Sequence, residues 1–193
     1  METSKPKITR SRRRAYQVEP EIEQKQQIER EAEKDRIILH HQRKESADKI
    51  LTKAVWSARG AGLIPVPLAD FVALLTIQTY MVSKLSQVYE VDFTEKRIRS
   101  VLVLLFGSVN PSWIVTTILG GLSKAMPFVG LASTMVTQPI IAGASTYAVG
   151  KIFINHFELG GTLLDFDAEN TRDYFHKEFE KGKQVVKEMK KAP

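Results

Sequence analysis

Ser133-Thr134-Met135-Val136-Thr137-Gln138-Pro139-Ile140-Ile141-Ala142-Gly143-Ala144-Ser145-Thr146-Tyr147-Ala148-Val149-Gly150 contains no charged side chain. Ala142, Thr146 and Gly150 recur every four residues, which places them on one helix face, and Ala144 and Ala148 repeat the spacing. Small residues at that interval let another helix approach closely, so these three positions are the candidate helix-packing face. Gln138-Pro139 reads as a helix stop followed by a restart, with proline at the first helical position.

The apolar character extends outward in both directions. Between 101 and 154 only Lys124 and Lys151 are charged. Runs of about 20 apolar residues suffice to cross a bilayer, and 101–123 and 125–148 are the candidate spans of an apolar helical hairpin. Asn110-Pro111 and Gln138-Pro139 cut those spans near their centres. The resulting short pieces suit buried helices of a soluble bundle equally well, so both architectures stand at this point.

Upstream lies a charged island, Lys84 to Arg99, in which Asp92 or Thr94 can cap the following helix. Before it, 71–88 carries apolar residues on nearly every face, as expected of a helix buried all round in protein or lipid. That helix follows Gly62-Leu63-Ile64-Pro65-Val66-Pro67-Leu68-Ala69-Asp70, where two prolines one residue apart demand an extended turn and Pro67 opens the helix. Asp70, in the first helical turn, satisfies free backbone N–H groups; alternatively it is an ionisable contact or relay group in an apolar setting.

The ends of the chain are polar. Residues 1–19 hold Lys5, Lys7, Arg10, Arg12, Arg13 and Arg14 with almost nothing to bury, which predicts a disordered basic arm. Arg10, Arg12, Arg13 and Arg14 are candidate contacts for anionic lipid, at roughly 1 kcal/mol per basic residue near such a surface. Nucleic acid is the weaker reading, because no aromatic interleaving accompanies the arginines. Residues 20–59 read as one long helix opened by Pro20. Its first half is polar all round, and its second half carries a stripe of Ala47, Ile50, Leu51, Ala54, Val55 and Ala58. Residues 60–156 form the apolar helical core, read as membrane-associated, and 157–193 a loop capped by Asp167 and a basic amphipathic helix. The apolar side of that last helix (Phe175, Phe179, Val186, Met189) is predicted to pack on the body or dock on a membrane surface.

Little in the chain suggests chemistry. The 193 residues include no cysteine and carry a formal net charge of +6, which removes disulfides and thiolate sites and favours anionic partners. The four histidines have no metal-ligand spacing, Asp165-x-Asp167-x-Glu169 lacks the glycine and final glutamate of a calcium loop, and no phosphate loop or nucleophile elbow occurs. No catalytic, cofactor-binding or metal-binding residue is assigned, and no enzyme activity is expected.

The stretch 62–70, with its Ile-Pro-x-Pro-Leu-Ala-Asp core, followed by Ile77-Gln78-Thr79-Tyr80-Met81 and Leu85, resembles the signature of a bacterial family of unknown function. Its members are hydrophobic, predicted to be membrane-associated, and often fused to or encoded beside Ras-like GTPases. The resemblance covers roughly 47–154. It implies a membrane-linked scaffold or docking element accessory to a GTPase, and marks Pro65, Pro67, Asp70 and Gln78 as candidate interaction residues. With no phosphate loop here, nucleotide chemistry falls to a separate partner. The expected molecule is thus an all-α helical bundle at the bacterial inner membrane with cytoplasmic termini, as its basic flanks suggest; the alternative is a cytoplasmic homo-oligomeric bundle.

Overall fold

A computed structural model describes the backbone of residues 10–63, 69–109 and 131–189, and the side chains of 23–63, 69–105 and 138–189. Among the described residues every regular element is a helix: α1 (Arg10–Ala61), α2 (Ala69–Tyr89), α3 (Glu95–Val109), α4 (Leu131–Glu158) and α5 (Arg172–Met189). The all-α class is therefore shown. The chain divides into two units, 1–44 and 45–193.

In the first unit the helix begins at Arg10, so the start predicted at Pro20 lies further upstream and Arg10 to Glu19 are helical. Low hydrophobicity disfavours burial, but Arg, Ala, Gln and Glu are good helix formers, so a segment can be helical with nothing to bury. Every described side chain from 23 to 42 is exposed. Same-face pairs such as Gln27–Glu31 and Arg36–Glu33 decorate it.

The second unit contains the core. Of the stripe read from the sequence, Ala47, Leu51, Ala54, Val55 and Ala58 are buried and Ile50 is partly buried. Ala47, Leu51, Ala54 and Val55 share a core with Met81, Val82 and Leu85 of α2, Ile98, Leu102 and Leu105 of α3, and Val149, Ile152 and Phe153 of α4, while Ala58 clusters with Leu74 and Ala142. α4 makes its broadest contact with α5, and α2 bridges α4 and α3.

Two expectations need correction. Gln138-Pro139 does not break a helix: α4 runs from Leu131 to Glu158 with Pro139 inside. Proline removes one backbone donor and crowds the preceding turn, yet neighbouring packing holds the segment helical. A Cβ on Gly62 would lie 3.0 Å from Gln138 C and O and from Pro139 Cα, so the chain leaving α1 presses against this step through a glycine. Secondly, α2 is not buried all round. Leu74, Gln78, Met81 and Leu85 face inward, whereas Val72 and Tyr80 are exposed, because α1, α3 and α4 cover only one side.

The candidate spans fare differently. α3 ends at Val109, and 110–130 lie outside the described residues, as do Pro65 and Pro67. Among the described residues no helix is long and apolar enough to cross a membrane.

The helix ends follow capping chemistry. Thr94 carbonyl accepts from Arg97 and Ile98 N–H (both 3.1 Å), which opens α3. α4 closes with Gly161 N–H on His156 carbonyl (2.9 Å) and Gly160 at φ 81°, the left-handed cap that glycine adopts without strain. α2 closes the same way, Val91 N–H on Ser86 carbonyl (2.8 Å), but Glu90 occupies the left-handed position at φ 58°. Glu90→Gly is therefore expected to stabilise the fold by up to about 1 kcal/mol, read as a higher urea midpoint. No gain would mean that Glu90's side-chain interactions offset the strain.

Candidate functional site

α4 is the axis on which the rest is registered. Lys151 Nζ pairs with Asp48 of α1 at 3.1 Å, and a Cβ on Gly150 would run into Leu51. Toward the N-terminus of α4, a Cβ on Gly143 would meet Arg59 Cγ at 3.0 Å. α1 and α4 are thus antiparallel. Gln78 Nε2 donates to Thr146 Oγ1 at 3.2 Å and Met81 lies against Gly150, so α2 runs parallel to α4. α5 returns antiparallel, Gly182 at Ala144 and Val186 at Gly143. The turn 90–94 reverses the chain, so α3 runs back beside α2.

The predicted packing residues fall at these contacts. Ala142, Thr146 and Gly150 are all buried. Thr146 donates its hydroxyl to Ala142 carbonyl (2.9 Å) while accepting from Gln78. Gln78 is fully buried, and its Oε1 has no hydrogen-bond partner among the described residues. A buried, half-satisfied amide costs stability that an apolar side chain would not, so this position is not optimised for packing alone.

Asp70 lies in the first turn of α2, half-buried, its Oδ1 2.9 Å from Phe71 N. That is the helix-start role read from its position. It also lines a cavity of about 30 Å³ with Gly62, Phe71, Leu74, Gln138 and Ala142. A cavity of that size holds a water or two, not a substrate. Asp70 and Gln78 sit two turns apart on α2 and touch different parts of α4. The side chains of Arg10, Arg12, Arg13 and Arg14 lie outside the described residues.

The polar end of the unit is a tied loop. Arg97 donates to Leu163 and Leu164 carbonyls at 2.6 and 2.5 Å, which fastens α3 to the segment after α4. Asp167 Oδ1 accepts Glu169 and Asn170 N–H (2.9 and 3.1 Å), so it caps as predicted, but it caps a turn, and α5 starts at Arg172. The apolar side of α5 is taken by the bundle: Phe175 and Val186 are buried and Phe179 packs on the core. Of the two roles foreseen for that side, packing on the body is the one seen.

Asp165 accepts from Thr162 hydroxyl and from Thr162 N–H (2.6 Å), and His156 stands 3.8 Å away. The hydroxyl bond foremost, then the backbone bond, hold its carboxyl below the ordinary 3.8. A depressed folded pKa contributes stability above the unfolded value and loses it as pH falls through the folded one. The turn should therefore loosen only below pH 3.8. Asp165→Asn should flatten that acid limb of the stability curve; an unchanged limb would show that other carboxylates govern it.

Sequence reasoning missed the aromatic–cation pairs. Arg59 lies over Trp56 at 4.2 Å from the ring centroid, and Lys84 over Tyr80 at 5.5 Å, both aromatic rings exposed. Each cation follows its ring by three or four residues, the spacing of same-face neighbours, and that signal was available. Among the described residues no group of three His, Cys, Asp or Glu side chains is placed to hold a metal ion.

A family model described as a domain of unknown function, DUF697, matches residues 23–184. A protein of Magnetospirillum gryphiswaldense named magnetosome membrane protein 22 is 38% identical over 144 residues, which cover 75% of this chain and 74% of that protein. No solved structure matches the chain.

Proposed function

The chain belongs to the DUF697 family, and from that premise we propose that it is a non-enzymatic, membrane-associated helical docking module. One observation carries the reading: apolar surface stands open on an apolar domain. Val72 and Tyr80 of α2 and Val103 and Leu104 of α3 are exposed, on helices whose flanking stretches 60–83 and 101–150 contain only Asp70 and Lys124 as charges. Lipid is the solvent in which such a surface costs nothing. The 38% identical relative carries the words membrane protein in its name, which supports the same direction. We place the module at the bacterial inner membrane with cytoplasmic termini, the basic arm on anionic lipid.

Fractionation tests this. The protein is expected in the membrane fraction, and alkaline carbonate then separates a surface-bound from an inserted form. Recovery in the soluble fraction at wild-type expression would end the reading and leave the homo-oligomeric cytoplasmic bundle.

The partner we propose is a Ras-like GTPase, on the strength of the resemblance at 62–85. A GTP-loaded Ras-like GTPase encoded beside this chain should be retained on vesicles that carry the chain and pass through bare ones. Equal passage would remove the GTPase from the account.

A further inference from the structure

Charge is sorted along the axis of the second unit. Going from the ends at Leu63, Ala69, Val109 and Leu131, the first stretch of each of four helices is almost free of charge. Residues 54–63 hold only Arg59, 69–83 only Asp70, and 100–109 and 131–150 none. The register of α1 and α2 on α4 puts the stretches of these three helices at the same end of the bundle. Asp70 lines the small cavity there.

Beyond the charge-free stretches, the first charge on every one of these helices is basic: Lys53, Lys84, Arg99 and Lys151. Lys151 adjoins Gly150, Leu51 touches Gly150 two residues from Lys53, and Met81 touches it three residues before Lys84. These residues therefore stand at one level, within about two turns of Gly150. Between this basic border and the tip stand Trp56 and Tyr80, each under a cation. At the tip, Leu63 and Val72 are 59% and 58% exposed.

Apolar tip, aromatic ring, basic border is the order of the water-to-lipid boundary. We propose that this end of the second unit docks into an anionic bilayer, Leu63 and Val72 in the acyl region, Trp56 and Tyr80 at the carbonyl level, and Lys53 and Lys84 on the phosphates. The inference rests on the membrane reading above and specifies its surface. Entry is tilted, with α1 and α2 foremost, because Lys183 and Lys187 of α5, near Val186 and hence near the level of Gly143, stay at the headgroups. Lys53 and Lys84 at the border, with Asp70 lining the internal cavity, make the partner an anionic lipid surface in preference to a second copy of this chain.

Flotation of the full chain tests it, with vesicles of phosphatidylethanolamine and phosphatidylglycerol against phosphatidylcholine alone. The wild type should prefer the anionic vesicles. Leu63→Glu with Val72→Glu should weaken that binding at least tenfold. Leu159→Glu with Leu164→Glu, equally exposed leucines (79% and 74%) at the opposite end, should change it less than twofold. Circular dichroism confirms that all variants stay helical. In a Trp113→Phe background Trp56 should be quenched by lipid spin labels near the headgroup more than by labels deep in the acyl chain. Wild type that binds neither vesicle overturns the membrane reading and this inference together. Binding that survives the tip variant, or Trp56 unquenched on bound protein, overturns the orientation alone, as does a tip variant that loses self-association instead of vesicle binding.

Discussion

Phe153→Ala is expected to destabilise the second unit by about 3–5 kcal/mol, the range for a fully buried phenylalanine truncated to alanine. Phe153 has no exposed surface. Its ring stacks on Phe166 with centroids 4.7 Å apart and the planes 18° from parallel, and tilts against Phe157 at 5.8 Å. The truncation removes apolar area, leaves a cavity in a core already filled from five helices, and deprives the loop before α5 of its anchor. Aromatic stacking adds about 0.5–1.5 kcal/mol beyond area, so Phe166→Ala in the same background should cost less than it does in the wild type, and the cycle isolates that coupling. Urea unfolding measures both. A loss under about 1.5 kcal/mol with unchanged slope would mean that the site collapses around the missing ring and that the cluster is not central.

Why that cluster escaped sequence reasoning is instructive. Phe153 lies in an apolar helix and Phe166 in a loop, and neither periodicity nor capping relates residues on either side of a turn. Features set within one helix were readable. The stripe from Ala47 to Ala58 follows from spacing alone, and the Lys84–Arg99 island contains the turn it announces because charges there have nothing to pack against. Pro139 was misread for the opposite reason. Its local signal is strong, but the outcome depends on what presses against it, and Gly62 comes from 76 residues upstream. Asp167 shows a third case: the capping chemistry is real while the element it caps is a turn. The basic border was in the letters too, since Lys53, Lys84 and Lys151 each bound a stretch with at most one charge. Only the register of the helices shows that they share a level.

Register also governs the second large effect. Gly182→Val should cost about 3 kcal/mol, and Gly182→Ala less, because the neighbour in the way is backbone. A Cβ on Gly182 would stand 2.9 Å from Ala144 carbonyl oxygen, 3.0 Å from Ala144 Cα and 3.1 Å from Tyr147 Cδ1. A side-chain end could rotate aside; a helix axis must move. Overpacking of this kind costs about 1–3 kcal/mol, and valine adds a second clash that its restricted χ1 cannot avoid. Against this, alanine is favoured over glycine within a helix by about 1 kcal/mol. Gly60 isolates that favourable part: it is helical, exposed, and a Cβ there would meet nothing within 4 Å. Gly60→Ala should therefore raise stability by up to about 1 kcal/mol while the same change at Gly182 lowers it. Opposite signs for one substitution at two helical glycines would show that close approach of α4 and α5 sets the fold. If both substitutions stabilise, the two helices have room between them, and the register built on their contact is wrong.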